Sequence, residues 1–143
     1  ALPIYFSFEA LNASSAGTLS ESMRIEFVQA GDDFLQARMP VFANTVQPMR
    51  ILHGGASVAL AETVGSVASL LCLAENSGEY AVGLDINANH LRSVVEGKTV
   101  LATCRPLHIG RTTHVWQIEI HDEQTQKLAC VSRLTMAIVQ RQQ

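Results

Sequence analysis

The sequence predicts an α+β domain in which one antiparallel sheet wraps a single long apolar helix. Three observations lead there. One helix candidate, Gly55 to Leu73, is apolar around nearly its whole circumference. A strand–turn–strand pattern precedes it, and four alternating segments of strand length follow it. Helix and sheet segregated along the chain in this way give the α+β class.

The elements follow in order. FSFEALNASSAG reads as a short helix ending near Gly17. MRIEFVQAGDDFLQARMPV alternates apolar and polar residues on both sides of Gly31-Asp32-Asp33, which predicts a hairpin. Asn44 to Met49 is a loop, with Pro48 blocking regular structure. The long helix stops at Asn76-Ser77-Gly78. With no polar face, it is expected to be enclosed.

In AVGLDINANHLRS, alternation puts Val82, Leu84, Ile86, Ala88 and His90 on one face and Asp85, Asn87 and Asn89 on the other. Lys98–Leu107, Thr112–His121 and Lys127–Val139 complete a meander, with turns at Ile109-Gly110-Arg111 and Asp122 to Gln126. One helix cannot cover both faces of such a sheet, so a dimer is expected.

Composition excludes several functions. The 143 residues suit one domain, 1–143, without a linker or repeat. Apolar residues make up 48% and charged residues 16%, enough for a core without staples. The net charge of −3 lacks the basic excess of a nucleic-acid binder. ALPIYFSFEALN lacks the basic start of a secretory signal, and Glu62, Thr63, Ser66 and Ser69 interrupt the one long apolar run, so neither leader nor membrane span is expected. Cys72, Cys104 and Cys130 have no paired spacing, which fits reduced thiols in the cytoplasm.

Glu62 is the residue that asks for chemistry. An ionised carboxylate amid apolar neighbours must be paired, protonated or at an accessible site. The alternative is a helix-end or surface Glu that merely interrupts the apolar pattern, but no Lys or Arg lies in residues 51–74 to pair with it locally. Ser66 and Ser69, four and seven positions on, share its helix face. His53-Gly54-Gly55 opens the helix, where backbone N–H groups are free to bind an anion or a developing oxyanion. The alternative is that the glycines only make a tight turn and that His53 only structures the loop.

Gly54 and Glu62 are eight residues apart, about 12 Å along one helix at ~1.5 Å per residue. That is too far for both to touch one carbonyl group. If they cooperate, Glu62 comes from a second subunit whose helix runs antiparallel, and a two-fold dimer makes two equivalent composite sites. His108, His114 and His121 show no zinc spacing, so no metal is expected. Phosphate-loop, dinucleotide and nucleophile-elbow motifs are absent.

Gln47-Pro48 followed by LHGGASVALAETVGS, then VGLDINANHLRS, then VWQIEIHDE with SRLTMAIV, resembles the hotdog-fold thioesterases. Within them the chain is similar to the PaaI/4-hydroxybenzoyl-CoA branch, close to the 1,4-dihydroxy-2-naphthoyl-CoA hydrolases, over about residues 8–139. The resemblance implies an acyl-CoA thioesterase acting on an aromatic or medium-sized acyl group, with CoA or a carrier protein as the thiol. It implies dimers with one continuous sheet that pair into tetramers, with active sites at the dimer interface.

By position, it implies Glu62 as nucleophile or general base and the Gly54 N–H as the donor to the thioester oxygen. Gln47 orients the thioester, Ser66 positions Glu62 or water, and His53 contacts the thioester or supports the loop. No cofactor is implied, because coenzyme A belongs to the substrate. Its phosphates would meet His90, Arg92, Ser93 and Arg111, with Arg105 a further candidate. The acyl end would meet Val67 and Leu70, with Phe42 or Met49. Two alternatives remain: a hotdog hydratase or dehydratase using His53 with Glu62, and an acyl-CoA binding protein without catalysis.

Overall fold

The computed structural model describes residues 7–142. Residues 1–6, which hold Phe6 at the head of the first helical segment and the first half of the stretch read for a leader, lie outside the described residues. A short α1 (Phe8–Ala13) and a single turn α2 (Leu19–Ser22) come first. The hairpin β1 (Glu26–Ala30) and β2 (Leu35–Pro40) follows, then α3 (Gly54–Cys72). The remaining strands are β3 (Glu79–His90), β4 (Thr99–Ile109), β5 (Thr113–Asp122) and β6 (Leu128–Gln140). α2 was not expected, and Gly17 with a φ of 75° makes the turn that joins it to α1.

All six strands form one antiparallel sheet in the order β1-β2-β4-β5-β6-β3. The turns fall where the sequence places them. Gly31 N–H donates to the Phe34 carbonyl at 3.0 Å, and Gly110 N–H to the Thr113 carbonyl at 2.8 Å. Asp122 Oδ1 accepts from the Gln124 and Thr125 amides, closing the β5–β6 turn, while its Oδ2 accepts from Lys98 Nζ at 2.7 Å.

The sheet curves around α3. Leu60, Ala61 and Val64 are fully buried against Ile118, Ile120 and Leu134. Gly65 marks the closest approach, because a Cβ built there would lie 2.4 Å from Leu134 Cδ2. Burying this apolar stripe removes helix and sheet from water at once, which is the main favourable term of the fold.

Three expectations need correction. α3 is not enclosed in the single chain: Ala56, Leu60, Ala61, Val64 and Ala68 face the sheet, but Glu62 and Leu70 are exposed. The helix is apolar nearly all round, and the sheet covers one side of it. Second, α3 is by length and composition long and apolar enough to cross a membrane, despite its polar interruptions; here its buried stripe packs on the sheet.

Third, β3 does not alternate strictly. Gly83 pairs with Met136 and Asp85 with Thr135, so Leu84 is the extra residue of a bulge. The bulge reverses the faces. Ile86 and Ala88 pack towards the core, whereas Val82 and Leu84 are exposed.

Candidate active site

The start of α3 is set by His53, whose backbone is extended and whose Nδ1 accepts the Gly55 N–H at 2.8 Å. The imidazole thus caps the helix through Nδ1. Ala56 and Ser57 donate to the His53 carbonyl at 3.0 and 3.2 Å. Among the described residues, the Gly54 N–H is left without a protein acceptor. Of the two glycines, it is Gly54 that offers a donor.

His90 lies against Gly54. A Cβ built on Gly54 would be 3.1 Å from His90 Nε2, so the absence of a side chain lets the imidazole close on the helix end. Around this point opens a cavity of about 370 Å³ lined by Gly54, Ser57, His90, Arg92 and Ser93 together with Leu91. Three of the expected coenzyme A contacts therefore share a cavity with the helix N-terminus. Ser57 was missed by sequence reasoning; its position one turn after Gly54 was the available signal.

Arg111 is not brought there within one chain. It sits in the β4–β5 turn, beside the end of β6 near Ala137, whereas the cavity touches Ala129 at the start of β6. Eight residues of strand separate the two, roughly 27 Å at ~3.4 Å per residue. Arg105 is drawn to Asp33 at 3.4 Å and lies 5.3 Å from the Phe34 ring centroid, also away from the cavity.

Glu62 occupies a different surface. It lines an open groove of about 450 Å³ on the uncovered face of α3, with Thr63, Ser66, Val67, Ala59 and Leu19. Its carboxylate has no hydrogen-bond or ion-pair partner among the described residues. Of the three options open to such a charge, accessibility is the one realised. Ser66 shares the groove but makes its contact with Met136, Oγ to Sδ 3.8 Å.

Ser69 is drawn away from Glu62's surface: it is buried, accepts from Trp116 Nε1 at 2.7 Å and lies 2.9 Å from His114 Nδ1. Burial, followed by the nearby His108, holds the His114 pKa below the usual histidine value.

Gln47 sits in the loop before α3, where its side-chain oxygen accepts the Met49 N–H and its backbone pairs with Ile51 and Arg50. Arg50, with a φ of 62°, is tied to Glu96 at 2.6 Å, which anchors this loop to the one after β3. Of the residues expected at the acyl end, Val67 lines the Glu62 groove and Leu70 is exposed on the next turn. Phe42 is covered by the Arg24 guanidinium, 4.2 Å from its ring centroid, and Met49 is solvent-exposed.

Comparison with known proteins identifies the fold and the family. A family model described as the thioesterase superfamily matches residues 49–129, which hold α3, β3, β4, β5 and the start of β6. The chain is 53% identical to the 1,4-dihydroxy-2-naphthoyl-CoA hydrolase of Escherichia coli over 134 residues, covering 93% of this chain and 95% of that protein. It is 48% identical to a proofreading thioesterase of Cronobacter turicensis, covering 94% and 96%.

Among solved structures, a thioesterase from Haemophilus influenzae superposes with a TM-score of 0.92 at 46% identity, over 99% of this chain and 96% of that one. The E. coli PaaI protein gives 0.76 at 25% identity, over 91% and 90%. The six-stranded sheet around one long helix is thus the hotdog fold, and the chain belongs to the thioesterase superfamily.

Proposed function

We propose that the chain hydrolyses the thioester of an aromatic or medium-sized acyl group carried on coenzyme A or a carrier protein. The observation that carries this reading is the division of labour on α3: one free backbone donor at Gly54, and one unpaired carboxylate at Glu62. A thioester needs both an activated attacker and a donor for the oxygen that gains charge. It needs no metal or cofactor.

The reaction runs as follows. The Gly54 N–H, backed by the helix dipole, polarises the carbonyl oxygen. Glu62, as general base, takes a proton from water while the water oxygen bonds to the carbonyl carbon. As nucleophile, it makes that bond itself and the resulting anhydride is then hydrolysed. In either course the C–S bond breaks, the thiolate leaves, and the acid and free thiol are the products. Gln47 and His53 hold the thioester at the loop, and Ser66 orients Glu62 or water.

The two groups meet across a dimer. β3 is a 12-residue strand at the sheet edge with no strand on its outer side among the described residues, and a long unpaired edge invites pairing with a second copy. Antiparallel pairing there would set the two α3 helices side by side, bringing Glu62 of one chain to Gly54 of the other. Dimers pairing further into tetramers are part of the same reading. His90, Arg92 and Ser93 would receive the coenzyme A phosphates. The name of the E. coli relative, a hydrolase of an aromatic acyl-CoA, supports the aromatic acyl end. The three free cysteines support a reducing, cytoplasmic setting.

A thioester panel with free-thiol detection tests the assignment. Benzoyl, hydroxyphenylacetyl and dihydroxynaphthoyl thioesters should release thiol faster than long straight-chain ones. Hydration of an enoyl-CoA without thiol release from any acyl-CoA would overturn it.

A further inference from the structure

Glu62 has no hydrogen-bond or ion-pair partner among the described residues, which leaves its neighbours' shape to bear on where its carboxylate sits. On one side of the carboxylate is Gly83. A Cβ built on Gly83 would lie 3.3 Å from Glu62 Oε2, tighter than most real Cβ contacts, and in ordinary contact with Glu62 Cδ at 3.8 Å and Met136 Sδ at 3.9 Å. Met136 is buried, pairs with Gly83 across the β3–β6 ladder and touches Ser66 Oγ through its sulfur.

Glycine inside a strand marks a bulge or a close approach by another group. Gly83 is not among the described glycines with left-handed φ, which are Gly17, Gly78 and Gly97. It sits at the β3 bulge and also has a close neighbour. The bulge at Gly83–Asp85 fixes where this bare backbone faces, and what faces it is the Glu62 carboxylate.

We propose that Gly83 is a positioning residue for Glu62: its missing side chain, held at the bulge against Met136, leaves the space in which the carboxylate sits. This rests on Glu62 being the base or nucleophile. The residue itself touches no substrate. It acts by letting the carboxylate stand where it can reach the carbonyl of the shared site, and a displacement of a few tenths of an ångström there costs rate.

Gly83→Ala isolates the effect, because alanine is compatible with the backbone and removes entropy only from the unfolded chain. Measured beside Glu62→Gln, it should lower kcat about tenfold, since reacting groups are sensitive to misplacement on this scale. KM should stay within about twofold, the thermal midpoint should be equal or higher, and the mass in light scattering should be unchanged. Wild-type kcat in Gly83→Ala with an inactive Glu62→Gln overturns the role of Gly83 and leaves that of Glu62. An active Glu62→Gln overturns both. A fall in kcat that comes with a lower melting point or a smaller assembly shows a structural role instead and also overturns the proposal.

Discussion

His53 Nδ1 accepts the Gly55 N–H at 2.8 Å, and by taking that donor it leaves Gly54 as the free one at the start of α3. The two glycines of the HGG turn therefore have different duties: one closes the cap, the other faces the cavity under His90.

Removing the cap should cost stability. His53→Ala is expected to destabilise the chain by about 1 kcal/mol, the usual cost of losing a helix cap, and to lower the thermal midpoint by a few degrees. His53→Asn, with a side-chain oxygen within reach of the same N–H, should recover most of it. An unchanged melting curve for His53→Ala would mean the ring does not cap the helix.

Arg92 should act on the coenzyme A end alone. Arg92→Ala is expected to raise KM for an acyl-CoA about fivefold, or about 1 kcal/mol, with kcat held. With the same acyl group on N-acetylcysteamine, which has no phosphates, KM should not move. Equal effects on both substrates would place Arg92 elsewhere in the reaction.

The buried pair of His114 and Ser69 sets an acid limit. The folded His114 pKa lies below 6.5 because burial disfavours the imidazolium, with His108 adding to this and Glu79 opposing it. The unfolded chain therefore binds the proton more readily. Stability from this group is full above about pH 6.5 and is lost as pH falls through the lowered folded value. Urea melts at pH 7.5 and 5 should show that loss in the wild type and less of it in His114→Phe. Ser69→Ala should cost about 1–3 kcal/mol at both pH values, because it strands the Trp116 Nε1–H.

How much of this was legible in the sequence differs by element. The hairpin, the β4–β5–β6 meander and α3 were readable because turn chemistry and periodicity act locally, at Gly31-Asp32-Asp33 and Gly110 for example. The β3 bulge was not. An extra residue in one strand leaves no mark on the alternation of AVGLDINANH until the partner β6 is in place.

The same limit hid Gly83 as the neighbour of Glu62, and Ser69 as the partner of Trp116. Both contacts join residues more than 20 positions apart, and helical spacing says nothing about them. The enclosure expected for α3 failed because composition reports how much apolar surface needs covering, not whether the chain's own sheet covers it.

The composite site is the central claim, and subunit mixing tests it most directly. Glu62→Gln removes the base. Gly54→Pro removes the donor at a helix position whose backbone accepts proline, after a His53 whose φ of −69° and ψ of 132° suit the residue before one, and its ring also pushes the His90 imidazole back, which only deepens the defect of that chain's own helix end. Each variant alone should be nearly inactive. After exchange in equal amounts, half the dimers carry one copy of each, with one site doubly defective and the other intact. Recovery of about a quarter of wild-type activity is the expected result for sites built across a two-fold axis. No recovery, with mixed dimers confirmed by mass spectrometry, would place Glu62 and Gly54 in the same chain's site and contradict the account.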